Sequence, residues 1–175
     1  MMWLSNNDRV LSVLPMSLND ELTQLFNREG FICAAEHLLE CACRSDRWAC
    51  LLSLQVNHLD VIDQALGSET ADRFLILTGV CLREAFPRSA VIGRISAQRF
   101  AVLFLVNRPA VCTVSLDRLI ETIDRHNTRR GEIDLSLLGG FSQFETRSSV
   151  SIQRLLNDAD GRLEAAMKNR CRGDG

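Results

Sequence analysis

Strong charge of either sign is missing from this sequence: the formal net charge is −2 over 175 residues. No basic stripe marks it for nucleic acid or for an acidic membrane surface. No apolar run reaches the roughly 18 residues of a membrane-spanning helix, so no span is expected in this chain. Near the start, Asn6, Asn7, Asp8 and Arg9 interrupt the stretch that an export signal keeps apolar. Internal repeats and low-complexity segments are absent. The seven cysteines (Cys33, Cys41, Cys43, Cys50, Cys81, Cys112 and Cys171) form an odd set without a regular disulfide framework. Several fall in apolar-periodic segments, where a thiol behaves as a small hydrophobe. Together these features predict a cytoplasmic protein with reduced thiols.

What is present is an ordinary globular balance, 46% apolar and 24% charged, on a chain long enough for one domain with a real core. Trp3, Leu4, Val10, Leu11 and Leu14 form a loose helical stripe stopped by Pro15. That gives an N-terminal helical extension over 1–18, packed on its own domain or connecting to a neighbour. The main domain then covers 19–171. Asn27 is a good N-cap for a helix whose Phe31, Ala34, Ala35, Leu38 and Ala42 share one face. Trp48 to Val56 is short and almost wholly apolar, a strand buried on both sides. A short helix over 58–66 ends near Gly67, and a longer one carries Phe74, Leu77, Cys81, Leu82 and Ala85 up to Pro87.

Next comes a strand, a turn at Ser96-Ala97-Gln98-Arg99-Phe100, and the apolar strand Ala101 to Val106. Leu116, Leu119, Ile120 and Ile123 mark another helix, which loses its pattern near His126 and Asn127. Ile133, Leu135 and Leu137 alternate with polar residues as a further strand, with Gly139-Gly140 just after it. Ser149 or Ser151 caps a last helix bearing Ile152, Leu155, Leu156, Ala159 and Leu163. Such alternation predicts an α/β (α+β) domain, one central sheet with helices packed on it.

Cys33, His37 and Cys41 form a stripe facing away from the predicted core. Eight helical residues rise about 12 Å, too far for one ion's shell, so at most an adjacent pair contributes ligands, with others from elsewhere. Cys41-x-Cys43 has no partner pair at zinc-finger spacing. No metal ligand set and no cofactor are therefore expected.

From Asp20 to about residue 170 the chain resembles the GGDEF domain of diguanylate cyclases, which fuse two GTP molecules into cyclic di-GMP. The resemblance rests first on Asp20-x-Leu22-Thr23-x-Leu25-x-Asn27-Arg28-x-x-Phe31. Leu54-Gln55-Val56-Asn57-His58 stands where the family has Asp-x-Asp-His, with His58 in a structural role. Asp63 stands where it has Asn, and Asp72 where it has Asp. Gly93-Arg94-Ile95 leads into the signature, and Ala159-Asp160 opens the final helix motif. The fold implied is a single GGDEF-like palm, five-stranded and mostly antiparallel with flanking helices, similar to nucleotide cyclases. No tyrosine occurs, although the family often has one where Leu66 and Glu164 stand.

By the same resemblance, two carboxylates should hold the divalent metal that activates the attacking hydroxyl and neutralises the phosphates. One position is Gln55, which has no charge. The other lies in the signature, where Ser96 and Ala97 replace two glycines, Gln98 and Arg99 replace the acidic pair, and only Phe100 survives. The glycines matter because a bare backbone can bring N–H groups close to phosphate. A phosphate-contacting Lys aligns with Met167, and Lys168 is one position off. The product-inhibition pair Arg-x-x-Asp becomes Pro87 and Ala90, with Arg88 out of register, so no inhibitory site is expected.

The resemblance thus implies a degenerate member with no catalytic residues, not an enzyme. It would act as a regulatory, dimerisation or protein-interaction module in cyclic di-GMP signalling. Its partner is a protein or a neighbouring domain, a sensor before it or an EAL-type domain after it, with a homodimer as a further arrangement. The chain stops just beyond the last helix, as an excised domain would. The alternative is a metal-independent receptor for GTP or a guanine dinucleotide, with Asp63 and Asp72 accepting from the guanine edge. Arg94 and Arg99 are expected to be solvated.

Overall fold

A computed structural model describes residues 18–108, 111–130, 134–147 and 151–173; the helix expected over residues 1–15 lies outside them. Helix α1 (Arg28–Ala42) starts where the sequence predicts, because the Asn27 side chain accepts a hydrogen bond from the Gly30 N–H at 2.9 Å. Its Phe31, Ala34, Ala35, Leu38 and Ala42 are buried. Strand β1 (Trp48–Val56) leads to α2 (Leu59–Leu66) and α3 (Ser68–Ala85), followed by β2 (Val91–Arg94) and β3 (Arg99–Val106). Then come α4 (Val111–Arg130), β4 (Leu137–Glu145) and α5 (Ile152–Gly173). No helix among the described residues is long and apolar enough to cross a membrane.

The described strands form one antiparallel sheet in the order β2-β3-β1-β4. Among the described residues there are four strands where the resemblance implied five. Alternation along β1 sends Cys50, Leu52, Leu54 and Val56 into one apolar cluster with Leu59, Ile62, Phe74 and Leu119 from α2, α3 and α4. It sends Ala49 and Leu51 into a second cluster with Phe31, Leu38, Leu155 and Ala159 from α1 and α5. Helices therefore cover both faces, and this explains why β1 and β3 read as nearly unbroken apolar runs. The same alternation turns Ser53, Gln55 and Arg99 toward the face that carries α5.

Of the strand expected around Ile133, Leu135 and Leu137, Ile133 lies outside the described residues, and the rest is corrected: β4 starts at Leu137 and runs through Gly139 and Gly140. Leu135 is buried, but its ladder partner is a side chain. Asn127 accepts from the Leu135 N–H at 2.9 Å and donates to the Leu135 carbonyl at 3.0 Å. Gly140 belongs inside the strand because α5 crosses directly over it. A Cβ there would stand 2.3 Å from both the Ala159 oxygen and the Leu163 nitrogen. Glycine here marks a close helix–sheet approach rather than a turn. The last helix starts as expected, with Ser151 Oγ accepting from the Arg154 N–H at 3.3 Å. Helix α4 continues past the predicted stop at His126, whose Nε2 lies 3.3 Å from Glu84.

Cys33, Cys41 and Cys43 are free and exposed. Cys50 is disulfide-bonded, which corrects the expectation that all the thiols are reduced.

Candidate functional site

The turn between β2 and β3 keeps the hairpin framework that the sequence implies. The last strand pair is Arg94 with Phe100. The N–H groups of Ile95 and Ser96 both donate to the Arg99 carbonyl, at 2.9 and 3.3 Å, and the Val56 N–H donates to the Gln98 carbonyl at 3.1 Å. Ile95 and Phe100 are buried, while Ser96 and Ala97 are exposed. Two apolar anchors thus hold a turn whose tip faces solvent.

Beneath the tip, Arg99 is the register partner of Gln55 on β1. Its Nε donates to Gln55 Oε1 at 3.3 Å. Its Nη1 lies 3.9 Å from Asp160 Oδ1, and its Nη2 lies 3.9 Å from Glu164 Oε1. Asp160 and Glu164 are four residues apart on α5 and so share a face. Asp160 also accepts from the hydroxyl of fully buried Ser53, at 2.5 Å. The guanidinium therefore stands among the oxygens of Gln55, Asp160 and Glu164. Arginine stays protonated in proteins, so a fixed positive charge fills the space between the neutral amide of Gln55 and the carboxylates of Asp160 and Glu164. These residues do not fit a resident Mg²⁺.

Arg94 is also engaged. It donates through Nη1 to the Asp20 oxygens at 3.1 and 3.3 Å, and through Nη2 to the Ala97 carbonyl at 2.8 Å. Asp20 further accepts from the Thr23 N–H at 2.8 Å and the Thr23 hydroxyl at 2.7 Å. Burial pushes the Asp20 carboxyl up, but the Thr23 hydrogen bonds and the Arg94 guanidinium outweigh it and hold the group below the usual carboxylate value. The expectation that Arg94 and Arg99 are solvated is corrected: each is paired with acidic side chains of its own chain. Sequence reasoning named Asp160 only as part of the final helix motif and Glu164 only as the place of a missing tyrosine, and gave neither a role beside the turn. The available signal was their spacing of four on the helix that also carries buried Ala159 and Leu163.

The candidate nucleotide residues lie elsewhere. Asp63, in the last turn of α2, and Asp72, in α3, are both exposed, and the structure ties neither to the hairpin. Asp72 does not begin its helix; Ser68 does, with Gly67 before it and Glu69 as the first-turn acid. Met167 is half-buried and Lys168 exposed on α5. His58 adopts a left-handed backbone (φ 56°) just before α2, with no side-chain capping bond. That backbone conformation fits the structural role read for it.

The positions aligned with the product-inhibition pair, Pro87 and Ala90, line an open groove of about 600 Å³ together with Asn19, Gln24, Leu25, Phe26, Arg83, Arg88 and Ile92. Arg83 Nη2 donates to the carbonyls of Thr23 (3.1 Å) and Gln24 (2.8 Å), where Gln24 holds φ 57°. No carboxylate lines this groove among the described residues.

Comparison with known proteins identifies the family and the fold. The sequence model described as "Diguanylate cyclase, GGDEF domain" matches residues 17–172. The bifunctional diguanylate cyclase/cyclic di-GMP phosphodiesterase MucR of Pseudomonas aeruginosa is 22% identical over 146 residues, covering 83% of this chain and 21% of MucR. Diguanylate cyclase DgcP of Escherichia coli is 26% identical over 155 residues, covering 89% of this chain and 44% of DgcP. The chain thus spans less than half the length of these curated relatives. Among solved structures, diguanylate cyclase SiaD in complex with its activator SiaC, from P. aeruginosa, has TM-score 0.79 at 21% identity, covering 93% of this chain and 62% of that one.

Proposed function

The chain belongs to the GGDEF domain family, a domain of cyclic di-GMP signalling proteins, and from that membership we propose that it is a regulatory, dimerisation or protein-interaction module without cyclase activity. The observation that carries this reading is the Arg99 guanidinium, opposite Gln55 and between Asp160 and Glu164. Joining two nucleotides requires a cation to offset phosphate charge and to activate the attacking hydroxyl. A guanidinium lodged between the two acids occupies the position that ion would need and repels it. The kept framework around the turn supports retention of the fold for contacts instead of chemistry. SiaD, of similar fold, was solved with an activator protein, which lends support to a protein partner.

The direct test is incubation with GTP and Mg²⁺ followed by chromatography. No dinucleotide is expected, and its formation by the purified chain would overturn the proposal. The paired substitution Gln55→Asp with Arg99→Glu sharpens it. Mg²⁺ is expected to stabilise that variant against heat and to leave the unaltered chain unchanged.

A second reading, a receptor for GTP or a guanine dinucleotide, is favoured by the groove that holds Arg83 and Arg88 without a balancing carboxylate. Calorimetry with cyclic di-GMP and with GTP, each with and without Mg²⁺, separates the readings. Micromolar binding lost in Arg88→Ala locates the ligand in the groove. Binding lost in Asp72→Ala locates it beside α3.

A further inference from the structure

The groove beside the start of β2 gathers two guanidinium groups and, among the described residues, no carboxylate. Arg83 engages two carbonyls through Nη2, which satisfies donors without cancelling charge. Arg88 is exposed. The acids of the adjoining segments are committed elsewhere: Asp20 pairs with Arg94 and Thr23, and Glu84 faces Arg125 and His126 on α4. Exposed Glu21 does not line the groove.

The walls are fixed by the chain's own hydrogen bonds. The Phe26 N–H donates to the Ile92 carbonyl at 3.3 Å, and the Arg94 N–H donates to the Phe26 carbonyl at 2.7 Å, so the entry segment is laid along the edge of β2. Left-handed Gln24 is held by its N–H, which donates to the Asp20 carbonyl at 2.9 Å, and the Ala90 N–H donates to the Pro87 carbonyl at 2.8 Å. A groove already formed spares a ligand the cost of ordering it.

The lining decides between ligands. Its floor is apolar, with Leu25 buried and Phe26, Ala90 and Ile92 half-buried. Asn19 and Gln24 bring side-chain amides to it, groups that both donate and accept as a peptide backbone does. A guanine edge presents N–H donors and calls for a carboxylate acceptor, which this lining lacks. A peptide carboxylate needs only donors and a fixed positive charge. We propose that the groove docks a short segment of a protein partner in which acidic and apolar residues alternate. Alternate residues of an extended segment face opposite sides, so its carboxylates meet Arg88 in the field of Arg83 while its apolar side chains rest on Leu25 and Ile92. This names a partner surface for the interaction module proposed above and rests on that reading.

The probe is a fluorescein-labelled hexapeptide of alternating Glu and Leu, titrated with the full chain at low ionic strength and read by fluorescence anisotropy. The matching peptide of alternating Gln and Leu is the control. Saturable binding of the acidic peptide is expected below about 1 mM. The Gln peptide, and the acidic peptide with Arg88→Ala, are each expected to bind at least about tenfold more weakly, since a hydrogen bond to a charged group contributes that much. Arg88→Lys should recover part of the loss, restoring the charge without the planar fork. Arg118→Ala, which removes an exposed charge on α4, should bind as the unaltered chain does. Circular dichroism checks that each variant is folded. No saturable binding below about 1 mM, equal binding of the two peptides, or an affinity in Arg88→Ala within about twofold of the unaltered chain would each overturn the proposal. Displacement of the labelled peptide by cyclic di-GMP or GTP at a lower concentration than unlabelled peptide requires would assign the groove to a nucleotide and overturn it as well. Failure here is distinct from failure of the module reading, which falls if GTP and Mg²⁺ yield a dinucleotide.

Discussion

Strand β2 is four residues long, and its two ends treat arginine in opposite ways. At the hairpin end, Arg94 is matched by Asp20, and Arg99 by Asp160 and Glu164. At the groove end, Arg83 spends its donors on two backbone carbonyls and Arg88 stands exposed, with no carboxylate lining the groove among the described residues. A carbonyl satisfies an N–H donor but carries only a dipole, so the guanidinium charge survives. A carboxylate satisfies the donor and cancels the charge as well. The hairpin end is thus electrostatically closed, and the groove end remains open to an anion. Family resemblance directs attention to the first; the charge balance directs it to the second.

The largest expected effect comes from breaking the hairpin end without touching its charges. Gly140→Val puts a side chain where α5 backbone atoms already stand, 2.3 Å from the site of its Cβ. The helix that delivers Asp160 and Glu164 must move. Urea denaturation is expected to show a loss of about 3 kcal/mol or more. At Gly139 the Cβ first meets only a Leu54 methyl, at 3.0 Å, so Gly139→Ala is expected to cost about 1 kcal/mol. Equal costs would mean that α5 is not pinned at Gly140.

Next in size is the Asp20–Arg94 pair, whose side chains are only 20% and 15% exposed. Arg94→Ala is expected to cost about 2 kcal/mol, less than for a fully buried pair because Thr23 continues to hold Asp20. The pH dependence follows from the lowered Asp20 carboxyl. Its contribution is complete above the ordinary carboxylate value and is lost as pH falls through the lower, folded value. In Arg94→Ala the folded value moves back toward the ordinary one, so the acid-induced loss that Asp20 contributes becomes smaller. Asp20→Asn should remove this part of the pH slope. Stability curves below about pH 4 check both, and an unchanged acid slope in Asp20→Asn would refute the assignment.

At the groove, Arg83→Ala removes the two hydrogen bonds that tie α3 to the left-handed Gln24 segment. About 1 kcal/mol is expected, with Arg83→Lys recovering part of it. Arg88→Ala, which breaks no hydrogen bond or ion pair among the described residues, should leave stability within about 0.5 kcal/mol. Thermal denaturation of the three variants tells a positioning arginine from one available to a ligand.

Much of this architecture was legible because its causes are local. The Asn27 cap, the apolar runs of β1 and β3, and the stripe on α1 are each decided within a few residues. Gly139-Gly140 was placed just after the expected strand because glycine weakens a strand locally, while the constraint that keeps Gly140 inside it comes from a helix that follows the strand. Leu135 misled because its alternation was real but its backbone partner is the Asn127 side chain. At the site, the residue types at Gln55 and Arg99 were readable, and their losses could be reasoned from chemistry. Their pairing was not: Arg99, Gln55 and Asp160 come from three separate elements, and only the sheet register and the α5 approach join them.

The smallest expected effect bears hardest on the hairpin end. Arg99 is only partly covered, and its acidic contacts are 3.9 Å long. Pairs of this kind contribute about 0.5 kcal/mol or less. Arg99→Ala should therefore fold normally and lose little stability, even though the guanidinium lies at the centre of the cluster beneath the turn. What it removes is the positive charge between Asp160 and Glu164, leaving two acids beside Gln55. Weak, salt-sensitive Mg²⁺ binding is then expected in Arg99→Ala and not in the unaltered chain, read as a Mg²⁺-dependent rise in melting temperature at low ionic strength. If Arg99→Ala and the unaltered chain respond alike to Mg²⁺, the guanidinium is not what closes this end, and the contrast between the two ends of β2 fails.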